Sequence, residues 1–495
     1  MKKLAIISLL LALLLPTLVA CGGSDTGSGA SDTTASGDTT AAENTEPAET
    51  EVQLEIPEGA NYDGYEFKIY TYVVGESTEG GYTMMTNYND LVAEEENGDP
   101  INDAVYQRNR AVEDKLNIKI VPVIAPKNEM TNNIKANVQA GASEYDAALQ
   151  MIRAAQNTAA ENYLTNLYDV DTLCLNKPWW NDRIQQGVAI NDNLFVITGD
   201  ANLQDKEGLS MLFYNITLAE NNGFDDIYTI IEDGKWTLDA FWKQCSAVTK
   251  DLNGDSVINH LDTAGTGMNY TSLNFFLNGA GESFAKLENG VPVSGLERER
   301  AINFIQDMAR FMNDKNAMLQ STTTEGGWGT FTKMFKANNL LVRTGNLYNA
   351  KNYRDMESDF SLICMPKYDE AQDQYYSPTS PHASTGFVIP ITTKDLDRTG
   401  VVLETMAYYS TDTVIEAYVN ITLGEKIMRN EKSVALMHQM IDTMIYDIGY
   451  VFDWAGITNI ASNACKTSDS TIVSEYATLR DSYLKAMEDT YNLYK

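Results

Sequence analysis

The chain has 495 residues, is 43% hydrophobic and carries a formal charge of −33, with 69 acidic against 36 basic side chains. That balance excludes the basic face that phosphate binding needs, so nucleic acid is not an expected partner. Beyond the first twenty residues no apolar run reaches the ~18–20 residues that span a bilayer, and a body of this length suits two or three domains.

In chain order, Lys2 and Lys3 precede an apolar run from Leu4 to Leu15, then Leu18-Val19-Ala20-Cys21. Residues 1–20 read as a secretory signal peptide with a small-residue cleavage site directly before a cysteine. The segment resembles the lipobox of bacterial lipoproteins, which implies that Cys21 becomes the acylated N-terminus. Residues 21–60 follow as a tether. From Gly22 to Pro57 the chain has no aromatic residue and is rich in Gly, Ser, Thr, Ala, Asp and Glu. Such a composition buries too little apolar surface to offset chain entropy. A flexible stretch of this length spans roughly 33 Å, enough to hold a body off a membrane.

Tyr65 to Tyr72 alternates and is rich in aromatics, which predicts a half-buried strand. Asp99-Pro100 reads as N-cap and first helical position, with Ile101, Val105, Val112 and Leu116 on one face. Asn117 to Ile124 is a second strand. Residues 128–140 form a helix stopped by Gly141. Tyr145 to Met151 is a third strand, and a helix follows near 153–163. This order predicts a parallel sheet with right-handed crossovers. Further on, strands are expected at 193–197, 211–215 and 340–343. Helices are expected to open at Trp236-Thr237-Leu238-Asp239, to run over 297–313 and 331–339, and to form long segments over 401–420 and 431–452. Cys174, Cys245, Cys364 and Cys465 lack metal-site spacing and read mostly as free, buried thiols.

Several of these segments together resemble the extracellular solute-binding proteins of bacterial ABC importers, the family of maltose-binding protein and other oligosaccharide binders. Tyr145-Asp146-Ala147-Ala148-Leu149 resembles the third strand of the first lobe. Phe213-Tyr214-Asn215 with Leu218-Ala219, Trp236-Thr237-Leu238-Asp239-Ala240-Phe241, and Phe331 to Val342 with Met365-Pro366 resemble elements of the second. Ser384 to Ile389 resembles the return crossing. The likeness covers roughly residues 63–455, and departs from the family at Ala337-Asn338-Asn339, where a glycine is usual. It implies an α/β, periplasmic-binding-protein-like (type II) fold: two α/β lobes, a hinge and a ligand cleft between them. Lobe 1 would comprise 61–175 plus about 386–445, and lobe 2 would comprise 176–385 plus about 446–495. The implied protein is a monomeric, membrane-anchored binder on the extracellular face. It would deliver a sugar or oligosaccharide to ABC permease subunits.

Sugars are held by flat apolar faces and by planar polar groups that read hydroxyls. Tyr72, Trp179, Trp180, Tyr270, Trp328 and Tyr348 are the aromatic candidates; Gln150, Asp200, Asn274 and Asn346 are the polar ones. Trp236 and Trp242 read as core. Asp251, Asn253, Asp255, Val257, Asn259 and Asp262 take loop positions 1, 3, 5, 7, 9 and 12 of a calcium-binding spacing. That loop resembles the calcium loop of dockerin repeats, although Ser256 replaces the turn glycine and Asp262 the final Glu. A structural Ca2+ is therefore expected as the one cofactor. Three histidines, with no HExxH, G-x-S-x-G or Walker pattern, give no enzyme motif. Two alternatives stay open: the same scaffold binding a peptide or other metabolite, with Arg343 as a fixed charge, and a glycan-degrading enzyme with paired carboxylates.

Overall fold

The computed structural model describes residues 52–73, 88–126, 129–425 and 431–495. Cys21, the expected signal peptide and most of the expected tether lie outside the described residues. Asp99 starts the helix Pro100–Leu116, its carboxylate accepting from the Ile101 and Asn102 amides. Val105, Val112 and Leu116 are fully buried on its inner face. Asn117 ends the helix in the left-handed region, at φ 49°, and turns the chain into the next strand.

That strand, β2 (Ile118–Pro126), pairs in parallel with β1 (Tyr65–Val73), from Tyr65 opposite Ile118 to Val73 opposite Pro126. The helix Met130–Gln139 follows, and Gly141, at φ 64°, closes it. β3 (Ala147–Met151) then pairs in parallel with β1 on its other edge. The expected βαβαβ order is present, and the carboxyl ends of β1, β2 and β3 share one edge of the sheet.

The second sheet has the order β8–β4–β7–β5–β6. Its strands are β4 (Ser210–Asn215), β5 (Ala264–Met268), β6 (Met318–Gln320), β7 (Leu340–Asn346) and β8 (Phe360–Ile363). β5 runs parallel to β6 and β7, while β4 is antiparallel to β7 with Ser210 opposite Asn346. The chain thus enters this sheet beside the carboxyl ends of β5 and β7. It returns through β9 (Thr385–Val388), antiparallel to β3 with Thr385 opposite Met151. β9 completes the first sheet, in the order β9–β3–β1–β2. Residues 52–495 form one compact unit with a continuous apolar core. No described helix is long and apolar enough to cross a membrane.

Several expectations change. Residues 193–197 make only isolated bridges, Ile190–Asn193 and Ile197–Phe387. The second of these joins residue 197 to the first sheet, while Asn191 donates its amide to the Gly290 carbonyl at 3.0 Å and its Nδ2 to the Tyr494 carbonyl at 2.6 Å. The end of the tether is docked as well: Leu54, Ile56 and Ala60 pack on the core, and Glu55 pairs with Lys177 at 2.5 Å. The helix Leu396–Ser410 passes into wider π-type turns through residue 425. The segment 431–452 is two helices, because Asp447 accepts from the Gly449 and Tyr450 amides and restarts the turn. At the family departure Asn338 takes φ 60°, a conformation that Asn tolerates nearly as glycine does. The four cysteines among the described residues are free; Cys245, Cys364 and Cys465 are buried, and Cys174 is half-buried.

Glu404 pins the 174–180 stretch. Its carboxylate, with no solvent exposure, accepts from Trp179 Nε1 at 2.8 Å, Trp180 Nε1 at 2.7 Å and the Cys174 amide at 3.1 Å. Desolvation raises its pKa above the usual carboxylate range, against the lowering effect of these donors. Glu404→Ala leaves three donors without an acceptor and is expected to cost about 3 kcal/mol in denaturant unfolding. Because the folded pKa is raised, Glu404 stabilises most below its unfolded pKa and loses that contribution as pH rises through the folded value. Glu404→Gln should flatten this limb of the stability–pH curve; an unchanged limb assigns it to another group.

Candidate functional site

The carboxyl ends of both sheets open toward a cavity of about 280 Å³. Met151, the last residue of β3, and Gln204 line it from the first sheet's side. After β5 come Asn269, Thr271, Ser272, Phe275 and Phe276; around the end of β7 come Arg343, Thr344, Gly345, Asn346, Tyr348 and Asn349. Trp328, Met365 and the crossing residues Ser380, His382, Ala383 and Tyr450 complete the wall. The position obeys the rule that open α/β sheets bind ligands beyond the carboxyl ends of their strands.

Two chain crossings run side by side below the cavity. Leu209 bridges Thr379, and the Ser380 amide donates to the Gly208 carbonyl at 3.2 Å. Gly208 is required here, because a Cβ would collide with Ser384. Asn346 staples the first crossing to the second sheet, its Nδ2 donating to the Gly208 carbonyl at 2.7 Å and to Ser210 Oγ at 3.1 Å. A third segment joins them: Met444 and Ile445 pair with Ser377 and Pro378. Arg153, on the first sheet's helix Ile152–Ala160, meets Asp453 at 3.3 Å.

The wall alternates flat apolar and planar polar groups. Asn269 Oδ1 accepts from Thr271 Oγ1 at 2.6 Å and from the Ser272 amide at 3.2 Å, fixing the turn after β5. Asn349 Oδ1 accepts from the Asn346 amide at 3.0 Å. Gln204 Oε1 accepts from Thr385 Oγ1 at 2.9 Å. The Tyr450 phenol, hydrogen-bonded by Asn274 and Ser380, is raised in pKa by burial. Arg343 lays its guanidinium 4.5 Å from the centre of the Trp328 ring.

Of the sequence candidates, Trp328, Asn346 and Tyr348 line the cavity, and so does Arg343. The others lie off the wall. Tyr72 is buried beneath it and donates to Gln204 Oε1 at 3.5 Å. Gln150 faces the first lobe's core, donating to Thr131 Oγ1 and Thr158 Oγ1, each at 3.0 Å. Trp179 and Trp180 are held by Glu404. Asp200 accepts from Thr411 Oγ1 at 2.8 Å and lies 3.4 Å from Lys206 Nζ. Tyr270 sits between two wall residues without joining them, and Asn274 supports Tyr450 from behind. Trp236 is core, its Nε1 donating to the Cys364 carbonyl at 3.2 Å, whereas Trp242 is half-buried and bonds Asp314 at 2.8 Å. The missed wall residues Asn269, Thr271, Ser272, Phe275 and Phe276 follow β5, whose sequence Ala-Gly-Thr-Gly-Met carries no strand signature.

In the loop 251–262 the acidic side chains cap backbone. Asp251 accepts from the Gly254 and Ser256 amides at 2.7 and 2.8 Å, and Asp255 accepts from the Val257 amide at 2.8 Å. Asp262, fully buried, accepts from the Leu252 and Asn259 amides at 2.9 and 3.0 Å. Asn253 Oδ1 accepts from the Asp255 amide at 2.9 Å. The Val257 carbonyl accepts from Asn259 Nδ2 at 3.0 Å. Among the described residues no group of three or more His, Cys, Asp or Glu side chains is arranged to hold a metal ion.

No family model and no curated protein matches the sequence. Solved structures do match it in fold. A sugar transporter from Rhizobium etli in an open conformation has a TM-score of 0.57 at 9% identity, covering 87% of this chain and 99% of its own. UgpB from Mycobacterium tuberculosis in complex with glycerophosphocholine has a TM-score of 0.54 at 12% identity, over 79% of this chain and 96% of its own. An ABC substrate-binding protein from Listeria monocytogenes in complex with cycloalternan has a TM-score of 0.53 at 11% identity, over 86% of this chain and 100% of its own. The chain therefore has the type II periplasmic-binding-protein-like fold.

Proposed function

We propose that this chain is the substrate-binding protein of an ABC importer, capturing a carbohydrate or oligosaccharide between its lobes for a membrane permease. The observation that carries this is the wall of the cavity. Trp328, Tyr348, Phe275 and Tyr450 supply flat apolar faces, and Asn269, Asn346, Asn349 and Gln204 supply planar amides beside Ser and Thr hydroxyls. Sugars present apolar C–H faces and rings of hydroxyls, and this pairing suits both. The Listeria and Rhizobium neighbours, named for cycloalternan binding and sugar transport, support the same ligand class. The UgpB neighbour holds glycerophosphocholine, so the fold by itself does not select a sugar, and the side chains of the wall carry the choice.

Binding without turnover belongs to the proposal, because the ionisable side chains of the wall are Arg343, His382 and tyrosines, not the paired carboxylates of a glycosidase. Closure of the lobes over ligand would shift an open–closed equilibrium by adding contacts across the cavity. Calorimetry against an oligosaccharide panel should find a binder that is recovered intact, and Trp328→Ala should weaken it by about 2 kcal/mol, roughly thirtyfold in Kd. Cleaved product, or no saccharide bound, overturns this function.

The proposed setting is a monomer anchored through lipid on Cys21 to the outer face of the cell membrane, as the Leu18–Cys21 motif suggests. Cys21→Ala is expected to move the protein from the membrane fraction to the medium; retention on the membrane removes the anchor from the proposal. A structural Ca2+ in loop 251–262 rests on donor spacing alone, since the carboxylates already cap amides. Calcium should raise Tm in the native chain and not in Asp251→Ala/Asp255→Ala. Melting curves that coincide with calcium and with chelator assign the loop to self-capping.

A further inference from the structure

Among the described wall residues, Arg343 is a charged group whose bonding is incomplete in a way that points to a ligand. It lies on β7, opposite Phe213 of β4 and Gly267 of β5, and is 7% exposed. Its Nη1 donates to the adjacent Thr344 carbonyl. Its Nε has no hydrogen-bond partner, and neither does the buried Thr344 hydroxyl beside it. Among the described residues no carboxylate lies within ion-pair distance of it, although the chain has 69 acidic residues. Arg153, whose Nη1 is 3.5 Å from His382 Nε2, has its charge paired with Asp453 at 3.3 Å, unlike Arg343.

A buried cation without a counter-ion is costly, and an unpaired N–H adds to that cost. Stacking on Trp328 offsets part of it, because a guanidinium over an indole gains cation–π energy. Stacking does not satisfy the donors. With Nη1 engaged, the edge formed by Nε and Nη2 is left, and those two parallel N–H bonds match the two oxygens of a carboxylate. A tetrahedral dianion would ask for more donors than this single edge offers.

We propose that the saccharide captured in this cavity carries a carboxylate, a uronic acid residue, and that Arg343 is its specificity determinant. The inference rests on the carbohydrate function proposed above. The carboxylate completes the hydrogen bonding of Arg343 and supplies its counter-ion. Tyr348 and Phe275 take the sugar's apolar face.

The test is calorimetry on the full chain with matched pairs: oligosaccharides containing glucuronate or galacturonate, and their neutral glucose or galactose counterparts. Sulfated and phosphorylated sugars form a third arm. The uronates should bind about 100-fold more tightly than their neutral partners, and Arg343→Gln should bring the two to within a few-fold. Arg343→Met checks the fold independently. Removing an unpaired buried cation should leave Tm of the free protein unchanged or higher, whereas a purely structural arginine would make it fall. Neutral sugars bound as tightly as uronates, a preference that survives Arg343→Gln, or a lower Tm in Arg343→Met each overturn the assignment while leaving carbohydrate binding in place. Tighter binding of sulfated or phosphorylated sugars overturns the carboxylate. Failure of every saccharide, acidic or neutral, overturns the carbohydrate function itself.

Discussion

Two parallel arrays of strands ending toward one gap is the constraint on which the rest of the molecule depends. In β1, β2 and β3, and again in β5, β6 and β7, parallel pairing puts every carboxyl end on the same edge. The residues that follow those strands have nowhere to go but over that edge. The crossings between the sheets must pass there too, since β4 begins opposite the end of β7 and β9 begins opposite the end of β3. The cavity is therefore a product of topology before any side chain is chosen. The bonds that hold Gly208, Ser380 and Asn346 together keep the crossings adjacent. A short paired segment of this kind can absorb a rotation of the two halves while their cores stay rigid.

Local signals that rest on one backbone conformation were legible in the sequence. Asp99-Pro100 can start a helix and Gly141 can end one, and both do so. Asn338 replaces a usual glycine without loss because the turn needs a positive φ rather than the absence of a side chain. Signals that depend on tertiary pairing were not legible. Residues 193–197 have strand composition but meet only single bridges. β5 has two glycines and looks like a loop, yet Gly265 and Gly267 are there because a Cβ would strike Cys245 and the Phe331 ring. Close packing of neighbours selects those residues, and a single sequence does not display its neighbours.

The cleft residues show the same division at finer grain. Sequence located the neighbourhood, and the side-chain direction then decided the residue. Gln150 and Met151 are adjacent on β3, but Gln150 points into the first lobe and Met151 into the cavity. Tyr270 is missed by the cavity while Asn269 and Thr271 on either side line it, and Asn274 lies behind its neighbour Phe275. On β3 adjacent positions face opposite ways, whereas Tyr270 and Asn274 lie in helical turns, where neighbouring positions point in different directions around the axis; in both cases an error of one residue changes the assignment. The loop 251–262 teaches a related lesson. Oxygen-bearing side chains at alternate positions suit a cation and suit Asx turns equally well, and in this loop they accept from backbone amides.

Charge works on two scales in this protein, and the scales oppose each other. The whole chain is strongly negative, which slows the approach of any anion. That field acts through solvent and fades over a Debye length of about 8 Å at physiological ionic strength. Within the cavity the local sign reverses at Arg343, where water is largely displaced and a paired charge is screened far less. For an acidic sugar, encounter rate and equilibrium affinity would then respond differently to salt. Added salt relieves the long-range repulsion and speeds association. It touches the buried Arg343 contact much less, so the gain in on-rate is not matched by an equal loss in residence time. A neutral sugar feels neither effect. A strongly acidic surface and an acidic ligand are thus compatible, provided that the opposite charge is held where solvent does not reach it.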